Sequence, residues 1–75
     1  MKLSDVNVGE RCKVLAVNAG NMILKRKMLD MGITSGVIVL VKRVAPFGDS
    51  VCLELRGYEL CLRVKELENI EVVKL

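Results

Sequence analysis

The stretch Lys25-Arg26-Lys27-Met28-Leu29-Asp30-Met31-Gly32-Ile33-Thr34-Ser35-Gly36 runs directly into Val37-Ile38-Val39-Leu40-Val41, and that junction decides the fold. Over residues 22–31, Leu24, Met28 and Met31 recur at i, i+4 and i+7, which is one apolar stripe on a helix. Lys25 and Arg26 fall on the far side, with Met22 and Leu29 between or beside them. Gly32 can enter the left-handed conformation without steric cost, so it is a natural stop. A DNA-reading helix-turn-helix needs a second helix after such a stop. Residues 37–41 are strand material instead.

On the N-terminal side, residues 3–9 read as a lead-in whose Leu3, Val6 and Val8 cover one end of a core. A Val-rich strand follows over 10–18, then turn residues Asn18-Ala19-Gly20-Asn21, where either asparagine can cap the helix. On the C-terminal side, a strand over 37–44 leads to the loop Ala45-Pro46-Phe47-Gly48-Asp49-Ser50. Val51, Leu53 and Leu55 then alternate with Cys52, Glu54 and Arg56, and Tyr58, Leu60 and Leu62 with Glu59, Cys61 and Arg63. With Arg56-Gly57 as a two-residue turn, Leu55 faces Tyr58, Leu53 faces Leu60 and Val51 faces Leu62, all on one buried face. One helical turn over 65–69 and a closing strand over 70–74 complete the chain. The pattern predicts a mainly β domain over residues 1–75, with about five strands and one amphipathic helix between the first and second. A small closed barrel best removes the exposed sheet edges of so short a chain.

Seventy-five residues support one core. With hydrophobic residues at 52% and aromatics at 3%, that core is aliphatic. A mean hydropathy of +0.40 implies that apolar surface stays exposed, as at partner surfaces. The net charge of +3 is too mild to suggest a nucleic-acid partner. The chain contains no histidine, which removes Cys–His and Ser–His catalysis. Glu54 and Glu59 on an open sheet face lack the burial that would split their pKa values, and residues 32–36 lack the lysine of a phosphate loop. No enzymatic activity is expected. Three cysteines without C-x-x-C spacing, and an acid in the opening Met1-Lys2-Leu3-Ser4-Asp5-Val6, favour reduced thiols and a cytoplasmic location. No apolar run approaches the roughly 20 residues needed to insert in a membrane.

The hairpin register sets Cys52 opposite Cys61 and Glu54 opposite Glu59 on the outer, solvated face. Two thiols and two carboxylates there could hold a soft or borderline divalent cation, which would relieve the repulsion between the glutamates. The plainer alternative is that Arg56 and Arg63 neutralise the patch, leaving free thiols and ordinary surface acids. A cross-strand disulfide fits this register but is disfavoured in a reducing compartment. The triplet Lys25-Arg26-Lys27 is by default a solvated helix face. With Met22 and Leu29 beside it, the same face suits an acidic partner. Ile38 and Leu40 make the second face of their strand apolar, so either the helix covers them or they form a partner or self-association patch. Phe47 is a further candidate.

Residues 26–36, Val39 and Val41, residues 45–49 and residues 55–63 together resemble the FeoA family, small cytosolic accessory proteins of bacterial ferrous iron uptake. The likeness runs from Leu3 to Val73, with Ser35 and Ser50 standing where the family commonly has proline. It implies an SH3-like barrel with the helix packed on it, and a non-enzymatic role with no required cofactor. It also implies docking on the cytosolic, GTP-binding part of the FeoB ferrous iron permease. The family supplies no catalytic residues to carry over. The expected sites therefore come from the residues: Met22, Lys25, Arg26, Leu29, Ile38, Leu40 and Phe47 for a partner, and Cys52, Cys61, Glu54 and Glu59 for a transition metal such as Fe2+ or Zn2+. The alternative function is a metal-sensing or metal-delivery domain. A homo-oligomer is compatible with both, and no nucleic-acid partner is expected.

Overall fold

The chain folds as a computed structural model that describes residues 1–18, 20–45 and 48–75, so Phe47 lies outside the described residues. After a single 3-10 turn at Leu3–Asp5 come β1 (Arg11–Val17), α1 (Met22–Asp30), β2 (Ile38–Val44), β3 (Ser50–Leu55), β4 (Tyr58–Arg63), α2 (Val64–Leu67) and β5 (Ile70–Lys74). The strands form one antiparallel sheet in the order β4-β3-β2-β1-β5. The helix falls between the first two strands, as the hydrophobic periodicity requires.

Local chemistry explains the boundaries. Asn21 Oδ1 accepts the Ile23 N–H at 2.9 Å and starts α1. At the other end the Gly32 N–H reaches the Leu29 carbonyl and the Ile33 N–H reaches the Met28 carbonyl, each at 3.0 Å. These two bonds make a Schellman cap, and Gly32 carries the positive φ of +93° that the cap needs. Arg56 and Gly57 both adopt positive φ, +50° and +83°, the mirror-image turn that matches strand twist. The resulting register pairs Val51 with Leu62, Cys52 with Cys61, Leu53 with Leu60, Glu54 with Glu59 and Leu55 with Tyr58.

One aliphatic cluster fills the interior: Val14, Val39, Val41, Leu53, Leu55, Ile70 and Val72 from the strands, with Leu3, Met28, Ile33 and Leu67 closing its ends. Two positions of the inward face of β4 depart from the expected burial. Leu60 is only half-buried, and Tyr58 remains 42% exposed. The reason is that the hairpin tip overhangs the core and clasps the α1–β2 loop. The Tyr58 hydroxyl lies against Gly32, where an added Cβ would approach to 2.7 Å, and Arg56 Nη2 donates to Thr34 Oγ1 at 3.0 Å. Closure is also incomplete. Among the described residues β4 and β5 do not pair. The free edge of β5 is covered instead by the N-terminus, through a Lys2–Glu71 bridge and a Val72 N–H to Met1 carbonyl bond at 2.7 Å.

Candidate functional site

The helix α1 divides by face as its periodicity predicts. Met28 is fully buried, and Leu24 and Met31 pack partly against the core. On the other side Met22 is 77% and Leu29 41% exposed, with Arg26 also in solvent and Lys25 half-buried. Sequence reading missed Ile23, which at 81% is more exposed than Met22. Its signal was available, since an apolar residue off the buried stripe has nothing to pack on. Ile23, Arg26, Lys27, Asp30 and Met31 line a shallow depression of about 500 Å³. Among the described residues, Lys25, Arg26 and Lys27 join no ion pair. The face therefore offers apolar anchors among unspent positive charge.

Ile38 and Leu40 lie apart from it. Ile38 is 43% exposed, so α1 does not cover it, and Leu40 is half-buried. With Arg11, Glu54, Leu55 and Arg56 they line a separate recess of about 220 Å³ on the outer sheet face. The residues nominated for a partner thus fall into two patches. A third hollow went unread in the sequence: a cleft of about 280 Å³ between the lead-in and the barrel, lined by Leu3, Val6, Val8, Val44, Val64 and Leu67 among others.

The proposed metal ligands also rearrange. Cys52, Cys61 and Glu59 come together, with their ligating atoms all within 4.8 Å of one another, and Glu54 is not part of the group. Cys52 is buried at 6% exposure rather than solvated, while Cys61 is exposed. The two sulfurs are joined in a disulfide across Cα atoms 4.0 Å apart, where reduced thiols were expected. The in-register pairing of β3 and β4 brings the side chains close enough for it. The neutralising cations are not Arg56 and Arg63 but two residues of β2. Arg43 Nη2 holds Glu59 at 2.5 Å, and Lys42 Nζ lies 3.5 Å from Glu59 and 3.9 Å from Glu54. The cause is a bulge: Val41 pairs with Leu53 but Arg43, not Lys42, pairs with Cys52. Two consecutive cations therefore oppose one position of β3.

The third cysteine is chemically quiet. Cys12 is fully enclosed in the core, and burial pushes its thiol up to about 11, well above neutral pH. Glu10 is the other shifted group. Its carboxyl is lowered, chiefly by the hydrogen bond from Lys74 and then by the Asn7 backbone.

With this geometry in view, the relatives are informative. The FeoA domain family matches residues 1–74. A Fe(2+) transport protein A/Fe(2+) transporter FeoB fusion protein of Porphyromonas gingivalis is 29% identical over 72 residues, which is 96% of this chain and 8% of that protein. The chain thus spans only a small part of that relative's length. The solution structure of FeoA from Chlorobium tepidum superposes with a TM-score of 0.92 at 36% identity, over 100% of this chain and 70% of that one. FeoA from Stenotrophomonas maltophilia, solved in complex with zinc and described as an SH3-domain protein, superposes with a TM-score of 0.84 at 21% identity, over 97% and 89% of the two chains. The half-open five-strand barrel is therefore SH3-like. With the family match spanning almost every residue and the fold shared with solved FeoA proteins, the chain belongs to the FeoA family.

Proposed function

We propose that the chain is a non-enzymatic accessory domain of ferrous iron uptake that acts in the cytoplasm by docking on the cytosolic, GTP-binding part of a FeoB-type permease. The observation that carries this reading is the Porphyromonas gingivalis relative, in which transport protein A and the FeoB transporter share one polypeptide. Fusing two modules raises their effective concentration, which is useful when they act on each other. The docking surface is the exposed face of α1. Met22, Ile23 and Leu29 supply apolar anchors, and Lys25 and Arg26 supply charge that no carboxylate of the described chain has taken up. Ile38 and Leu40 form a secondary contact for the permease or for a second copy of the chain.

The test is capture of the permease's cytosolic part by the wild-type chain and by a Lys25→Glu, Arg26→Glu, Leu29→Ala variant. Binding should fall while the thermal transition stays in place. Undiminished capture by the triple variant would remove α1 from the interface.

A second reading, a transition-metal site, is favoured by the close grouping of Cys52, Cys61 and Glu59. The zinc complex of the Stenotrophomonas maltophilia protein is compatible with it. Two sulfurs and one oxygen suit Zn2+ or Fe2+, with solvent completing the shell. Iron is in any case the transported substrate.

A further inference from the structure

The disulfide and the metal-ligand group are built from the same two sulfurs, so they exclude each other. We propose that Cys52 and Cys61 form a redox-gated metal site: closed as a disulfide, and open after reduction as a thiolate pair that takes a thiophilic divalent cation with Glu59 as third ligand. This rests on the second reading above and adds its regulation.

Three observations carry it. First, strand pairing sets the two cysteines side by side with or without the bond. Its cysteines are separated by nine positions, in a hairpin that six residue pairs of β3 and β4 close, and neither belongs to the aliphatic cluster that includes Cys12. Opening the bond therefore leaves the backbone pairing of β3 and β4 to hold the two side chains in register. Second, the two sulfurs differ in access. Cys61 is exposed on the edge strand β4, whereas Cys52 is covered. An incoming thiol therefore meets Cys61 first. Third, Glu59 lies on the same face two residues before Cys61, with its carboxylate oriented by Lys42 and Arg43. It is in place before any cation arrives, although the cation must compete with both bases for it.

The chemistry balances with a small dithiol as reductant. One thiolate of the dithiol attacks Cys61 Sγ, the S–S bond breaks, and Cys52 leaves as a thiolate that takes up a proton. The second thiol of the reductant attacks the mixed disulfide and releases Cys61, leaving the reductant oxidised to its own disulfide. Two electrons and two protons have passed to the protein. Binding of a divalent cation then displaces the two thiol protons to solvent.

The experiment uses the full chain and Co2+, whose thiolate complexes show a near-ultraviolet charge-transfer band. Protein oxidised with glutathione disulfide should present no thiol to a native-state thiol titration and gain no band. Protein treated with a dithiol should present two reactive thiols, with Cys12 appearing only on denaturation, and should gain a saturating band that Cys61→Ser loses. Equal bands in the oxidised and reduced forms would overturn the gate while leaving metal binding intact. Two reactive thiols without a band would overturn the metal reading, and the gate with it. Two reactive thiols surviving excess glutathione disulfide would overturn the closed state, and the gate with it, while leaving metal binding intact. Circular dichroism on Cys61→Ser checks that a lost band is not a lost fold.

Discussion

Lys25, Arg26 and Lys27 on α1 and Lys42 and Arg43 on β2 are both short basic runs in solvent, yet their charges are employed differently. On β2 both cations close onto Glu59, at 3.5 and 2.5 Å, and Lys42 also approaches Glu54 at 3.9 Å. On α1, among the described residues, none of the three finds a carboxylate, although Asp30 stands four positions beyond Arg26. A cation already paired gains little from a new anion, while an unpaired one beside exposed apolar side chains can steer and hold an acidic partner. The lesson is that the availability of charge, rather than its count, distinguishes a docking face from ordinary surface.

The largest test of this contrast is mechanical. If α1 is held by one apolar stripe, Met28→Ala should cost about 2–5 kcal/mol and lower the melting temperature by roughly 10 °C or more. Met22→Ala, on the exposed face, should stay within about 0.5 kcal/mol. Thermal unfolding followed by circular dichroism separates the two. Similar losses at both positions would mean that the helix is not divided by face.

Next in size is the comparison of the runs themselves. The pair Lys25→Glu, Arg26→Glu should weaken binding to the permease's cytosolic part about thirtyfold, near 2 kcal/mol, and the wild-type affinity should fall steeply with salt. The pair Lys42→Glu, Arg43→Glu should change it by less than about threefold. Calorimetric titration reads both. The opposite ranking would move the interface to the sheet and break the contrast.

The hairpin tip joins the two regions, and Gly32→Ala probes that joint. An alanine at φ +93° is strained, and its Cβ would meet the Tyr58 hydroxyl at 2.7 Å. A loss of about 1–2 kcal/mol is expected from the backbone alone. Tyr58→Phe in the same background should recover only the part due to the hydroxyl, because the φ cost remains. Full recovery would show that the conformation at Gly32 is not demanding.

What the sequence disclosed, and what it hid, follows the same division between local and cross-strand causes. The β3–β4 register was legible because a period of two and a two-residue turn leave one in-phase pairing for Val51 to Leu62. The end of α1 was legible because Gly32, which enters the left-handed conformation without steric cost, directly follows the stripe of Leu24, Met28 and Met31. The tenants of the Cys–Glu patch were not legible. Arg56 and Arg63 are near Glu54 and Glu59 in sequence, but the cations that arrive come from β2, through a bulge that no local pattern announces. Nor could periodicity foresee that Arg56 would turn to Thr34. The disulfide was judged from an expected compartment, a criterion outside the chain, while the register alone already placed its sulfurs together.

The smallest prediction makes the contrast sharpest. Glu59→Gln releases Arg43 and leaves Lys42 only its 3.9 Å approach to Glu54, which gives β2 free charge of the kind α1 has by nature. Because the Glu59 side chain is 32% exposed, the loss of stability should be below about 1 kcal/mol in urea titration. If free cations alone made a docking face, this variant would bind the permease more tightly. Unchanged affinity is expected, because the strongly exposed apolar anchors Met22 and Ile23 stand on α1, where charge and apolar surface coincide. A gain in affinity would show that charge suffices and that the anchors on α1 are incidental. A stability loss above 2 kcal/mol would instead mean that the β2 pairs help hold the sheet together, and that their cations were never free to be compared with those of α1.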